Sequence, residues 1–199
     1  MRETEIKLPV LDAPAMRRRL RKHGFAVVAP RLFERNLVFD SPQLTLRRGG
    51  RLLRLRSRGG RWWVTWKSRP LVFTRHKVRE EIEFETPDGP QAAAVFQRLG
   101  YLPVFEYQKY RAEYQRPGER GKVVLDQTPI GDYLELEGPP RWIDRVASEL
   151  GFRSSDYIIE SYGALYLDWC RDRNLTPSQM LFPGKKSLRP KLASGHSGE

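Results

Sequence analysis

The chain is built from short runs of two-residue period separated by longer runs of helical period. In Glu3–Leu8, Glu3, Glu5 and Lys7 share one side of an extended strand, with Thr4, Ile6 and Leu8 on the other. The same sorting recurs. Arg54 and Arg56 oppose Leu53 and Leu55, Thr65 and Lys67 oppose Val64 and Trp66, and Arg79, Glu81, Glu83 and Glu85 oppose Ile82 and Phe84. Further on, Lys109, Arg111 and Glu113 oppose Tyr110, Ala112 and Tyr114, Asp126 opposes Leu125, and Glu135 and Glu137 oppose Leu134 and Leu136. The pattern predicts strands at about Glu3–Leu8, Arg35–Asp40, Leu52–Ser57, Trp62–Lys67, Arg75–Glu85, Val104–Gln115, Lys122–Asp126 and Asp132–Glu137.

Helices fall between them. Asp12 caps one that runs to about Lys22 and closes at Gly24 before Phe25, and Asp88 caps another that ends at Gly100 before Tyr101. A third begins near Pro139–Pro140 and carries Trp142, Val146 and Leu150 on one face; a fourth runs from about Ile159 to Cys170. Eight strands and about four helices make an α+β chain. The plain reading of the alternation is a sheet with one face in water. However, a solvated face mixes in Ser, Thr, Asn and Gln, whereas these polar positions are nearly all Arg, Lys, Glu and Asp. Eight antiparallel strands can instead close into a barrel with room for one ligand. Two folds stay open on the pattern alone: a sheet with one solvated face, or an eight-stranded antiparallel β-barrel tunnel with a charged lumen, its apolar exterior covered by about four helices.

Charge sharpens this. Over 199 residues, 36 Lys and Arg against 24 Asp and Glu leave +12. Twelve of those bases and no acid lie between Arg47 and Arg79, and the rest of the chain is neutral. Such a segment points to a polyanionic partner. The opening Met-Arg-Glu-Thr-Glu-Ile-Lys has no apolar run, no stretch is long and apolar enough to span a membrane, and the single cysteine, Cys170, suits a reducing compartment. A cytoplasmic protein without membrane contact is expected, monomer or homodimer. The sequence has no glycine-rich phosphate loop, so any phosphate chemistry must use side chains. Guanidinium and ammonium groups match triphosphate oxygens, while carboxylates on the same face require a cation such as Mg²⁺ or Mn²⁺ between them and the anion.

At this point the sequence resembles a known family. Glu3-x-Glu5-x-Lys7, Leu53-Arg54-Leu55-Arg56, Thr65-Trp66-Lys67, Arg79-Glu80-Glu81-Ile82-Glu83, Lys109-Tyr110-Arg111, Val124-Leu125-Asp126, Gly131 to Glu137 and Ser161-Tyr162 follow, in order, the pattern of the CYTH family, the triphosphate tunnel metalloenzymes. Of the two folds left open, the resemblance implies the barrel tunnel; it covers about residues 1–170 as a tunnel domain and leaves 171–199 as a C-terminal extension, with Ser187–Glu199 expected to be disordered. It implies Glu3, Glu5, Glu135 and Glu137 as metal ligands with Asp126 and Glu81 in support. It implies Lys7, Arg54, Arg56, Lys67, Lys109 and Arg111 as phosphate ligands; Arg79 joins them by parity. Glu81 and Glu83 are candidate bases, and Lys7 is a further catalytic candidate. The implied function is Mg²⁺- or Mn²⁺-dependent hydrolysis of inorganic, nucleoside or thiamine triphosphate. A class IV adenylyl cyclase, making cyclic AMP and pyrophosphate from ATP, shares Leu99-Gly100-Tyr101, Lys109-x-Arg111 and Ser161-Tyr162 and is the alternative. A third reading takes Arg51–Lys67, with Trp62, Trp63 and Trp66, as an RNA or single-stranded DNA track. The carboxylates on the same face make nucleic acid an unlikely partner.

Overall fold

A strand with one apolar face must bury it, and here the sheet does so by closing on itself and receiving helices outside. The computed structural model describes residues 2–71 and 75–187; most of the expected disordered end, 188–199, lies outside them. In chain order the elements are β1 (Arg2–Val10), α1 (Ala13–Lys22), β2 (Ala26–Asp40), α2 (Thr45–Arg48), β3 (Leu52–Arg58), β4 (Arg61–Lys67) and β5 (Lys77–Thr86). There follow α3 (Gly89–Arg98), β6 (Leu102–Gln115), β7 (Lys122–Thr128), β8 (Gly131–Glu137), α4 (Pro140–Glu149), a 3₁₀ turn (Ser154–Asp156) and α5 (Tyr162–Arg171). The strands form one closed antiparallel barrel in the order β1-β5-β4-β3-β2-β6-β7-β8.

The largest apolar cluster backs β1, β7 and β8. Ile6, Leu8, Val123, Leu125, Leu134 and Leu136 pack outward against Met16 and Leu20 of α1 and Ile143 and Val146 of α4. Each such fully buried aliphatic side chain is worth about 1.5–3 kcal/mol. A smaller cluster lies under α3, where Phe96 meets Phe39 edge-on at 5.1 Å. Here Gly89 admits the Trp62 ring: a Cβ on it would come within 2.1 Å of the indole. A third cluster gathers Tyr107, Tyr162, Tyr166, Cys170 and Met180 around α5.

The structure departs from the periodicity in four places. β2 begins at Ala26 rather than Arg35, because its pairing with β6 slips between Val27 and Ala29 and again between Ala29 and Leu32, around Pro30. α2 has four residues, too few to show a period, and is held by the Asp40 carboxylate, which accepts from the Ser41, Leu46 and Arg47 N–H groups. β5 starts at Lys77, not Arg75. α5 starts at Tyr162, not Ile159: Ile158 exchanges backbone hydrogen bonds of 2.8 and 2.9 Å with Lys7, and Ser161 then caps the helix by accepting from Ala164 N–H. The first part of the extension is ordered against β6, whose Gln108 N–H donates to Met180 at 2.9 Å while Met180 N–H donates to Glu106 at 3.0 Å. Ser187, at its far end, donates to the Glu106 carboxylate. No helix among the described residues is long and apolar enough to cross a membrane.

Candidate active site

Parity sends the charged face of each strand inward. The resulting tunnel encloses about 660 Å³ and is lined by every candidate residue named above except Asp126. Asp126, fully buried, stands behind the wall and accepts from Lys109 at 2.9 Å, from Arg111 at 2.6 and 2.8 Å, and from the Tyr162 hydroxyl at 2.8 Å. β1 and β8 pair so that Glu5 faces Glu137 and Lys7 faces Glu135 across the ladder.

Opposite charges interleave along the lumen. Lys7 sits between Glu5 at 3.5 Å and Glu135 at 3.4 Å, while Lys77 reaches Glu5 at 3.1 Å. Lys67 bridges Glu3 at 2.5 Å and Glu81 at 3.3 Å, and Lys122 bridges Glu137 at 3.0 Å and Glu113 at 3.5 Å. Arg111 also pairs with Glu135. Arg56 and Arg54 meet Glu83 at 2.7 and 3.5 Å, and Glu83 accepts from the Thr65 hydroxyl at 2.6 Å. Arg54 further donates to the Tyr107 hydroxyl at 3.1 Å. Arg79 donates to the Gly50 carbonyl at 3.0 Å.

The proton affinities follow from who shares with whom. Burial, then the neighbouring Glu5 carboxylate, pushes Glu3 up to about 7 even with Lys67 beside it, because that ammonium also serves Glu5 and Glu81. Burial opposes the Glu5 charge, but Lys7, Lys77 and Lys67 outweigh it and hold Glu5 well below the usual carboxylate range. Glu137 is raised by burial and by Glu135 and Glu3, with Lys122 only partly compensating. Against its burial, Arg56, Arg54 and the Thr65 hydroxyl hold Glu83 low. Burial pulls Lys77 down to about 8.

Several lumen groups went unassigned in the sequence. Lys77 and Lys122 share parity with Arg79 and Asp126, and Tyr107 with Lys109, so alternation carried the signal for all three. Glu34 was hidden by the irregular start of β2. Fully buried, it lies 3.6 Å from Lys109 and 3.9 Å from Arg56 and is held at about 2 by Lys109 and Arg111 against its burial. The tryptophans divide: Trp62 packs under α3, whereas Trp63 stacks near Arg56 and Arg61, each 5.2 Å from its ring.

No three His, Cys, Asp or Glu side chains among the described residues form a ready-made metal cage. The donor set nevertheless fits a hard cation. Glu5 and Glu137 oppose each other as like charges, and Glu3 and Glu137 have raised proton affinities that a divalent ion between them would relieve. On β3, across the barrel from β8, the Nε groups of Arg54 and Arg56 are buried without a hydrogen-bond partner in the protein, and so is that of Arg79 on β5, beside Glu3 of β1 in the ladder. Such a donor set suits a hard cation completed by ligand oxygens and water.

Comparison with known proteins agrees with this geometry. The sequence pattern of the CYTH domain matches residues 1–148. A protein of Methanocaldococcus jannaschii named "Putative adenylate cyclase" is 30% identical over 137 residues, 69% of this chain and 77% of that protein. Among solved structures, one from Vibrio parahaemolyticus, also named a "putative adenylate cyclase", aligns with a TM-score of 0.70 at 19% identity, covering 82% of this chain and 96% of that one. A Hippeastrum protein described as a "putative adenylyl cyclase" with a dominant triphosphatase activity aligns at TM-score 0.61 and 20% identity, over 83% of this chain and 95% of that one.

Proposed function

The chain belongs to the CYTH family, a generally metal-dependent family, and we propose that it is a Mg²⁺- or Mn²⁺-dependent triphosphatase. The observation that carries the proposal is a lumen that sets the guanidinium groups of Arg54 and Arg56 across from the paired carboxylates Glu5 and Glu137, with Arg79 next to Glu3 in the ladder. Arg54, Arg56, Lys67, Arg79, Lys109 and Arg111 hold the phosphate chain through charge-assisted hydrogen bonds. Lys7, kept protonated by Glu5 and Glu135 against its burial, stands beside the terminal phosphoryl group. Glu3, Glu5, Glu135 and Glu137 would hold the cation, with Glu81 in support, while Asp126, behind the wall, orients Lys109 and Arg111 rather than reaching the metal; once bound, the cation would neutralise charge and polarise the terminal phosphoryl oxygens. Glu83 orients Arg54 and Arg56. Water attacks the terminal phosphorus, the bridging P–O bond breaks, and the water proton passes to Glu81, leaving orthophosphate and the shortened chain.

The second reading, a class IV adenylyl cyclase, is favoured by the name of the M. jannaschii relative. Incubation with inorganic triphosphate and with ATP, under Mg²⁺ or Mn²⁺, separates the two. Orthophosphate is the expected product. Pyrophosphate with cyclic AMP establishes the cyclase, and no turnover of either substrate overturns both.

A further inference from the structure

We infer that the outer wall of the barrel, where β2, β6 and β7 meet α1 and the C-terminal extension, binds single-stranded nucleic acid at a site separate from the tunnel and from whatever the tunnel turns over. The tunnel lining holds nine Lys and Arg against seven Glu, and the fully buried Glu34 and Asp126 bring the carboxylates to nine. In formal charge the lumen is therefore neutral, and the +12 of the chain lies outside it. The carboxylates that argue against nucleic acid stand on the inner face of these strands.

On the outer face a row of residues crosses four strands in register. Phe33 of β2 lies opposite Tyr110 of β6, Tyr110 opposite Gln127 of β7, and Gln127 opposite Asp132 of β8. At a strand spacing of about 4.8 Å the row is about 15 Å long. Cations stand along it. Arg17 of α1 and Arg31 of β2 both donate to Gln127 Oε1, at 3.0 and 2.6 Å, so two guanidinium groups converge on one neutral amide. Arg31 also lies 3.6 Å above the Tyr110 ring, while Arg35 and Lys185 stand 5.4 and 5.3 Å from that of Phe33. Phe33, Tyr110 and Phe182 form one aromatic cluster, with centroids 5.2 to 6.4 Å apart, on which these cations rest. Burial raises the proton affinity of Asp132, the carboxylate at the end of the row, despite Arg17 and Arg31.

Each guanidinium carries five N–H donors, and Gln127 takes one from each arginine, which leaves the others for phosphate oxygens. Phosphate contacts alone suit any polyanion. The exposed Arg31, at stacking distance from Tyr110, adds a flat cationic face, and bases stack on guanidinium planes as they do on aromatic rings. A duplex hides its bases and inorganic polyphosphate has none, so the surface favours an unpaired strand.

The test measures, by fluorescence anisotropy in EDTA, the Kd of a labelled 5′-hydroxyl oligothymidylate of about 20 nucleotides. Lacking a triphosphate and a metal, this probe does not address the tunnel. The expected Kd is micromolar at low salt and rises with salt with a logarithmic slope of about 3, the value for four phosphate contacts to a single strand. Arg17→Ser combined with Arg31→Ser is expected to raise Kd at least tenfold with unchanged far-UV circular dichroism. Arg31→Lys, which keeps the charge and loses the plane, should raise it about fivefold, and Arg56→Ala should leave it within twofold. No binding by the wild-type chain, or a double variant that binds as the wild type does, overturns the site. A tenfold loss in Arg56→Ala would put the strand in the tunnel and overturns it as well. Wild-type affinity in Arg31→Lys, equal affinity for the duplex with oligodeoxyadenylate, or displacement by inorganic polyphosphate at equal phosphate concentration overturns an unpaired strand as the ligand.

Discussion

Two sides of the barrel present similar charged faces inward but are backed very differently. Behind β1, β7 and β8, Ile6, Leu8, Val123, Leu134 and Leu136 are wholly buried beneath α1 and α4. Behind β5, Ile82 and Phe84 remain 52% and 55% exposed, and α3 leaves Val95 and Leu99 in solvent. The proposed metal carboxylates of β1 and β8 thus stand on a close-packed wall, and β3 and β4 are backed by Leu55 and Val64 under α3, while β5, which carries Arg79, Glu81 and Glu83, stands on a thinly covered one. Less buried apolar surface means a lower free energy of local opening. We propose that the closely packed side is the less mobile half of the barrel and the β5 side the half that adjusts to a bound anion.

The sharpest break of this comparison is chemical. Glu5→Gln and Glu137→Gln are expected to lower kcat on the order of 100-fold or more with unchanged far-UV circular dichroism, because they remove charge from the closely packed wall. Arg56→Ala is expected to act chiefly on KM, raising it about tenfold, because the remaining cations of the lumen stay in place. Full activity in both carboxylate variants would remove the tunnel from consideration as the active site.

Stability gives the next contrast. Leu134→Ala, deep in the larger cluster, should cost about 2–5 kcal/mol in urea unfolding. Phe84→Ala, exposed on β5, should cost under about 1 kcal/mol. Similar losses at the two positions would mean that the walls are equally backed.

This asymmetry was not legible in the sequence, and the reason is physical. Alternation reports which face of a strand is apolar, so it placed Glu3, Arg56, Glu81, Lys109 and Glu137 on one side of their strands and allowed closure, which the family resemblance then implied. It does not report what covers that face: Ile82 and Ile6 look alike until helices are positioned. Nor did the pattern show where β2 begins, which is why Glu34, one residue before the expected start at Arg35 and opposite Lys109, was missed while Lys77 and Lys122 were within reach. The folded lumen interleaves the carboxylates and cations as ion pairs, because isolated buried charges are too costly to leave unmatched.

A smaller effect tests the mobility of the two walls. Amide hydrogen exchange should be faster in β5 than in β7 and β8, and addition of inorganic triphosphate with Mg²⁺ should protect β5 more than the other two. Equal protection of all three strands would show the site closing as one body.

The smallest expected effect lies at the seam where the two sides meet. Asp144 of α4 accepts from Arg75 at 2.6 Å, His76 at 2.8 Å and the Tyr157 hydroxyl at 3.1 Å, tying the approach to β5 onto the well-packed side. Burial opposes its charge, but the hydrogen bonds from His76 and Tyr157, together with Arg75, hold its carboxyl below the usual aspartate range. A depressed carboxyl binds fewer protons folded than unfolded, so its contribution is complete above the unfolded value and is lost as pH falls through the folded one. Asp144→Asn should therefore cost about 1–2 kcal/mol near neutral pH, with the difference from wild type shrinking below about pH 4. A difference that stays constant down to about pH 2 would mean that Asp144 holds the seam by packing rather than by charge.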